Sequence, residues 1–163
     1  MEYRQLGPDD AIAFRQLRLI GLASDPDFFP VTLEEEENQP LDFFLSRITS
    51  NCAFGAFSSD TMVGMALLTT DTRKKRRHVG EVKGVLVSPA FRGKEIATDL
   101  MTIVEKHARM LLIECLELNV IDVNERAVRL YERLGYKKFG VRPKAFKQGS
   151  VYLDGIYMVK ILD

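Results

Sequence analysis

The stretch Val79–Met101, VGEVKGVLVSPAFRGKEIATDLM, reads as a buried strand, a turn around Ser88-Pro89, and the start of an amphipathic helix. Between strand and helix lies Arg92-Gly93-Lys94-Glu95-Ile96-Ala97. The first N–H groups of a helix lack intrahelical partners and sit at the positive end of its dipole, so phosphate is a natural ligand there. Gly93 lets the backbone come close to such a ligand, and Arg92 and Lys94 add formal positive charge. An ordinary strand–loop–helix connection with a solvated basic loop is the competing reading. This stretch alone does not choose between them.

Downstream the helix runs to about Met110, with Ile96, Leu100, Ile103, Val104 and His107 recurring at helical spacing. Leu112–Val120 is expected to be a strand, and Asp122 or Asn124 can then cap a helix over Glu125–Leu134 that stops at Gly135. A strand near Tyr136–Val141 and a longer one near Val151–Leu162 close the chain, joined across Lys147–Ser150. In the last strand Leu153, Tyr157, Val159 and Ile161 alternate with Asp154, Met158 and Lys160, as in a half-buried strand.

Upstream, Glu2–Leu6 looks like a short strand. A helix over about residues 10–22 follows, with Ala13, Leu17 and Ile20 as its expected inner face. Ser24–Gln39 is polar and marked by proline, and it carries the run Glu34-Glu35-Glu36-Glu37. Such a run is normally a solvated face; the alternative is an electrostatic collar at a mouth that receives a cation. Pro40 opens a helix to about Ile48 with Leu41, Phe44, Leu45 and Ile48 on one side. Cys52–Phe57 and Met62–Thr69 form an expected hairpin, and Arg73–Arg77 a basic loop after it. The expected order is β-α-α-β-β-β-α-β-α-β-β, an α+β fold.

The 163 residues suit one domain, 1–163, and the composition, 46% apolar and 28% charged, is that of a soluble globular protein. The 23 basic and 23 acidic side chains cancel, leaving no net field for nucleic acid or an acidic membrane. Five successive bases at Arg73–Arg77 without interleaved aromatics do not change that. Cys52 and Cys115 lie far apart in apolar runs and are expected to be buried thiols. No signal-peptide pattern opens the sequence and no apolar run is long enough for a bilayer, so a cytoplasmic location is expected. His78 and His107 have no ligand-spaced partner, which argues against a metal site. Dinucleotide, P-loop and nucleophile-elbow motifs are missing.

What remains is a combination. EVKGVLVSPAFRGKEIA at residues 81–97 is followed at family spacing by N-x-x-A-x-x-L-Y-E-x-x-G-Y from Asn124. With these blocks the chain resembles the GNAT superfamily of N-acetyltransferases. The segments LASDPDFFP…EEEENQP and FGVRPKAFK…GSVYLDGIYM resemble one bacterial branch of its small members. The resemblance implies a central mixed β-sheet of six to seven strands flanked by about four helices, with acetyl-CoA in the cleft between two splayed parallel strands. By matching positions, backbone groups of Val85, Leu86 and Val87 would meet pantetheine. Arg92, Gly93, Lys94, Glu95, Ile96, Ala97 and Thr98 would wrap the pyrophosphate. Asn124 would touch the pantetheine arm and Tyr131 would lie near the sulfur. A homodimer is a family-level expectation.

The implied reaction is transfer of acetyl to a primary amine, in a small molecule or a peptide, within a ternary complex. A lysine-like amine has a pKa of roughly 10.4 and must lose a proton to attack. Glu81 is the candidate general base, directly or through water, and a backbone N–H near Leu86 the oxyanion donor. Tyr131 is the candidate acid for the leaving thiolate. The competing function is a non-catalytic acyl-CoA-binding sensor or interaction module of the same fold. Glu95 motivates that rival: the family motif runs Arg-Gly-x-Gly-x-Gly/Ala, so glycine is usual at this position. The Glu95 carboxylate is expected to weaken acetyl-CoA binding without abolishing it.

Overall fold

The computed structural model describes residues 1–162; Asp163, the last residue of the expected domain, lies outside the described residues. The strands are β1 (Glu2–Gln5), β2 (Cys52–Ser58), β3 (Thr61–Thr70), β4 (Val79–Val87), β5 (Cys115–Ile121), β6 (Lys137–Gln148) and β7 (Val151–Ile161). The helices are α1 (Ala11–Ser24), α2 (Leu33–Glu37), α3 (Leu41–Thr49), α4 (Ile96–Met110) and α5 (Glu125–Arg133). All strands join one seven-stranded mixed sheet in the order β1-β2-β3-β4-β5-β7-β6. No helix among the described residues is long and apolar enough to cross a membrane.

Both faces of the sheet centre are covered, which explains why Met62–Leu68 of β3 is buried without alternation. On one face Phe14 and Leu17 of α1 and Phe44 and Ile48 of α3 pack on Met65, Leu67 and Leu86. On the other, Ile96, Leu100, Met101 and Val104 of α4, with Tyr131 of α5, pack on Val63, Ala66, Val82, Leu116 and Leu118. Gly21 lets α1 ride close over the end of β4: a Cβ there would lie 2.6 Å from a Leu86 methyl.

Among the described residues, the only parallel neighbours in the sheet are β4 and β5, paired at just Val79↔Cys115, Gly80↔Leu116 and Glu81↔Glu117. They then part. The β3–β4 register passes from Leu67↔Lys83 to Met65↔Leu86, so Gly84 and Val85 together face Ala66. This is a β-bulge, and Gly84 takes the left-handed conformation it requires, with φ 59°. A bulge bends its strand, here away from β5, which itself stays paired with β7 as far as Ile121↔Gly155. The β5-facing edge of β4 from Val82 onward therefore carries backbone groups that no strand satisfies.

Four expectations need correction. In α1 the inner face is Ala11, Phe14, Leu17, Arg18, Gly21 and Leu22, while Ile20 is exposed; the helix is rotated relative to the expected phase. In α3 Leu41 is exposed at the first turn, while Phe44 and Ile48 are buried. In β7 the expected alternation does not hold: Met158 is fully buried and Ile161 exposed, while Tyr157, Val159 and Lys160 are all half-buried. The cause is α4, which covers the Met158 face and draws Lys160 in to a 2.7 Å ion pair with Glu105. Finally, the segment 24–39 holds α2, a fifth helix, started by a capping box. The Thr32 hydroxyl accepts from the Glu35 N–H at 3.3 Å, and the Thr32 N–H donates to the Glu35 carboxylate at 2.6 Å. Cys52 and Cys115 are free and half-buried, and burial raises both thiol pKa values.

Candidate active site

Two cavities open where β4 and β5 part. The first, about 250 Å³, lies between the end of β4, the start of α4 and α5. The second, about 490 Å³, lies between the sheet, α1, α3 and the segment after α1. They share Phe28, Phe29, Val85, Asn124, Ala127 and Tyr131 as common wall, so they meet at that tyrosine.

Of the residues expected to hold a cofactor, Val85, Leu86, Val87, Arg92, Gly93, Glu95, Ile96, Ala97, Thr98, Asn124 and Tyr131 all line the first cavity. Lys94 does not; its Nζ lies 4.9 Å from the centre of the Phe91 ring. Gly93 has φ 75° and Glu95 φ 58°, so the chain turns twice through the left-handed region before α4 begins. Ile96, Ala97 and Thr98, whose N–H groups open α4 without intrahelical partners, line the first cavity. The left-handed conformation suits glycine, and a glutamate held in it is strained. Its carboxylate accepts from the Thr98 hydroxyl at 2.7 Å and lies 3.9 Å from Arg133 Nη2.

Arg92 is not a free cation. Its Nε donates to the Val87 carbonyl at 3.3 Å, and its guanidinium is bound to Asp25 at the end of α1. Burial raises the Asp25 carboxyl, but hydrogen bonds from Arg92 and Ser24 outweigh it and leave the pKa below its ordinary value. Asn124 caps α5, its Oδ1 accepting from the Ala127 N–H at 3.2 Å.

Tyr131 is buried, its ring 5.8 Å from that of Tyr136 in an edge contact. Burial pushes its phenol well above the ordinary range, so it stays protonated at neutral pH. Glu81 and Asn119 line the second cavity. The Glu81 carboxylate is half-exposed and pairs with Lys83 at 2.9 Å.

Sequence reasoning missed the polar cluster of the second cavity. Glu36, expected among solvated acids, is 2% exposed and holds two guanidiniums. Arg18 grips it with two hydrogen bonds, Nε to Oε2 at 2.9 Å and Nη2 to Oε1 at 3.0 Å, and Arg47 reaches Oε1 at 3.0 Å. Glu34, Glu35 and Glu37 are exposed as expected. The capping-box pattern Thr32-x-x-Glu35 was the available signal: it announces a helix, and a helix in this segment turns one of four glutamates inward. The basic loop is tied down too, with Arg73 and Arg76 both paired to Asp71 and Arg76 also to Glu117.

A family model described as the Acetyltransferase (GNAT) family matches residues 19–136. Over 101 residues, 61% of this chain, the sequence is 26% identical to the L-amino acid N-acetyltransferase AaaT of Escherichia coli (strain K12). The match spans 62% of that relative's length. The GNAT-family acetyltransferase of Streptococcus pneumoniae superposes with a TM-score of 0.86 over 99% of both chains, at 20% identity. The yncA structure of Salmonella typhimurium, solved with its cofactor acetyl-CoA, superposes with a TM-score of 0.82 over 100% of this chain and 94% of that one, at 18% identity. At such identities the structural likeness establishes the fold.

Proposed function

The chain belongs to the acetyltransferase (GNAT) family, and we propose that it is an acetyl-CoA-dependent N-acetyltransferase that acts on a primary amine by direct attack in a ternary complex. The observation that carries this reading is the meeting of two cavities at Tyr131. Direct transfer needs two substrates to enter separately and touch at one point, and this architecture offers that. The names of the E. coli relative and of the acetyl-CoA-bound Salmonella structure support it.

The first cavity fits the cofactor's chemistry. The unpaired edge of β4 at Val85–Val87 offers N–H and C=O groups to an amide-bearing arm, and the open N–H groups at the start of α4 suit a pyrophosphate. When bound, acetyl-CoA supplies an activated thioester carbonyl. In the transfer one C–N bond forms and one C–S bond breaks, while the nitrogen loses a proton and the sulfur gains one. Glu81, in the second cavity, takes the proton from the amine, directly or through water. Tyr131, held protonated by burial, donates from Oη to the sulfur. An N–H of the β4 edge near Leu86 faces the charge that develops on the carbonyl oxygen.

A specific observation favours a second reading, a non-catalytic acyl-CoA-binding module. Asp25 occupies Arg92, and Glu95 brings a carboxylate to the anion turn. Calorimetry with acetyl-CoA followed by an amine panel scored for CoA release separates the two. Tight binding without release on any amine favours the module, and no binding at millimolar acetyl-CoA refutes both.

A further inference from the structure

Building on the amine-acetyltransferase reading, we propose that the second cavity selects an acceptor that carries its own carboxylate, an apolar amino acid, and that Arg47 is the residue that binds this carboxylate. The charge balance of the wall leads there. Arg18 commits its fork to Glu36 through two hydrogen bonds, and its side chain is 8% exposed. Arg47 meets the same carboxylate at Oε1 through Nη2 at 3.0 Å, and its side chain is 32% exposed. One carboxylate thus faces two guanidiniums, and the surplus positive charge rests on the more open one. The remaining charged residues of the wall, Glu81 and Lys83, neutralise each other at 2.9 Å.

Arg47 is also held in place. Its guanidinium lies 4.6 Å from the centre of the Phe43 ring. Its carbonyl accepts from Asn51 Nδ2 at 2.8 Å, and Asn51 Oδ1 accepts from the Thr69 hydroxyl at 2.6 Å. Thr69 stands opposite Glu81 in the β3–β4 register. A short chain of bonds therefore ties the Arg47 backbone to the strand position facing the candidate base. Burial and the neighbouring Arg18 lower the Arg47 pKa against the pull of Glu36, as expected of a guanidinium short of counter-charge.

Phe28, Phe29, Val31, Leu67 and Phe146 give the wall an apolar side, beside the polar Asn51, Thr69 and Asn119, and the volume of about 490 Å³ is that of a small-molecule site. A polyamine would bring positive charge to a guanidinium that shares its one counter-ion with Arg18. An apolar amino acid brings an amine, a carboxylate for a planar fork, and a body for the aromatic wall. The acidic run at 34–37, for which a collar receiving a cation was the alternative to a solvated face, instead contributes a carboxylate that only half-neutralises a basic pair.

The test uses matched pairs: leucine against isopentylamine and phenylalanine against phenethylamine, with CoA release measured and amino-acid binding followed by calorimetry. The wild-type protein is expected to favour each amino acid by about tenfold or more in kcat/KM, the scale of a charge-assisted hydrogen-bond pair. Arg47→Gln should collapse that ratio toward one by raising the amino-acid KM, and Arg47→Lys should restore part of it. Equal use of the decarboxylated amines by the wild type overturns the proposal without any variant, and leaves the transferase reading standing. Amino-acid binding that depends on Arg47 but is never followed by CoA release supports the carboxylate site and refutes the transferase reading. Neither binding nor release overturns both.

Discussion

Asp25 and Arg92, 67 positions apart in the chain, are bound to each other across the mouth of the first cavity. The basic residue of the anion turn is thus already answered by a carboxylate from the end of α1. The N–H groups of the turn, not the Arg92 charge, are the part of the site open to an incoming anion.

Replacing Asp25 with Asn removes a negative charge beside that turn and releases Arg92. Acetyl-CoA should bind more tightly, by up to about fivefold, the scale of a partly exposed ion pair. Calorimetry at two salt concentrations checks it; weaker binding would mean that Asp25 holds Arg92 in its working position. The pair also has a pH signature. Because the folded-state Asp25 pKa lies below its unfolded value, the pair contributes stability above about pH 4 and loses it as pH falls through the depressed value.

At position 95 two effects separate by substitution. Glu95→Gln removes charge and keeps the left-handed strain, whereas Glu95→Gly removes both. Each variant should tighten acetyl-CoA binding, and the glycine should also raise stability by about 1 kcal/mol. Thermal unfolding and calorimetry on both variants read the two effects independently. Unchanged affinity in both would show that the carboxylate, held by Thr98, does not reach the ligand.

Tyr131→Phe should lower kcat by about a hundredfold or more while acetyl-CoA affinity changes little, since only the hydroxyl is lost. The phenol's raised folded-state pKa means that its neutral form contributes stability below about pH 10, lost as pH climbs through the raised value. Spectrophotometric titration of wild type and variant should differ only on the far alkaline side. A difference near pH 7 would contradict the burial argument.

Glu81→Gln should cost about a hundredfold in kcat/KM with acetyl-CoA affinity unchanged. Lys83→Met, which leaves the carboxylate without its 2.9 Å partner, should have a much smaller effect. If the two variants behave alike, the pair serves the strand and not the reaction.

Glu36→Ala would leave Arg18 buried without a counter-ion. The expected loss is about 3–5 kcal/mol of stability, measurable by denaturant unfolding. A loss below about 1 kcal/mol would show that water reaches Arg18 freely.

The parts of this molecule that were legible in the sequence are local. The turn Arg92–Ala97 and the cap-to-stop span Asn124–Gly135 obey short-range rules of helix ends, so their motifs survive as readable strings. The mixed sheet followed from the family resemblance those strings carry, whereas the spatial order of its strands did not. What stayed hidden is non-local. Glu36 meets Arg18 and Arg47 only after three segments fold together, and nothing in a run of four glutamates says which one turns inward. The inner face of β7 depends on which side α4 covers, and the parting of β4 and β5 on a bulge at Gly84 that reads as an ordinary strand glycine. Asp25 carried no sign of its tie to Arg92.

The most direct test of the central claim is amine-dependent release of CoA from acetyl-CoA by the wild-type protein, with Tyr131→Phe run beside it. The two-cavity account predicts release that requires an amine, saturates in both substrates and falls about a hundredfold in the variant. Release that is independent of amine, or unchanged in Tyr131→Phe, would contradict it.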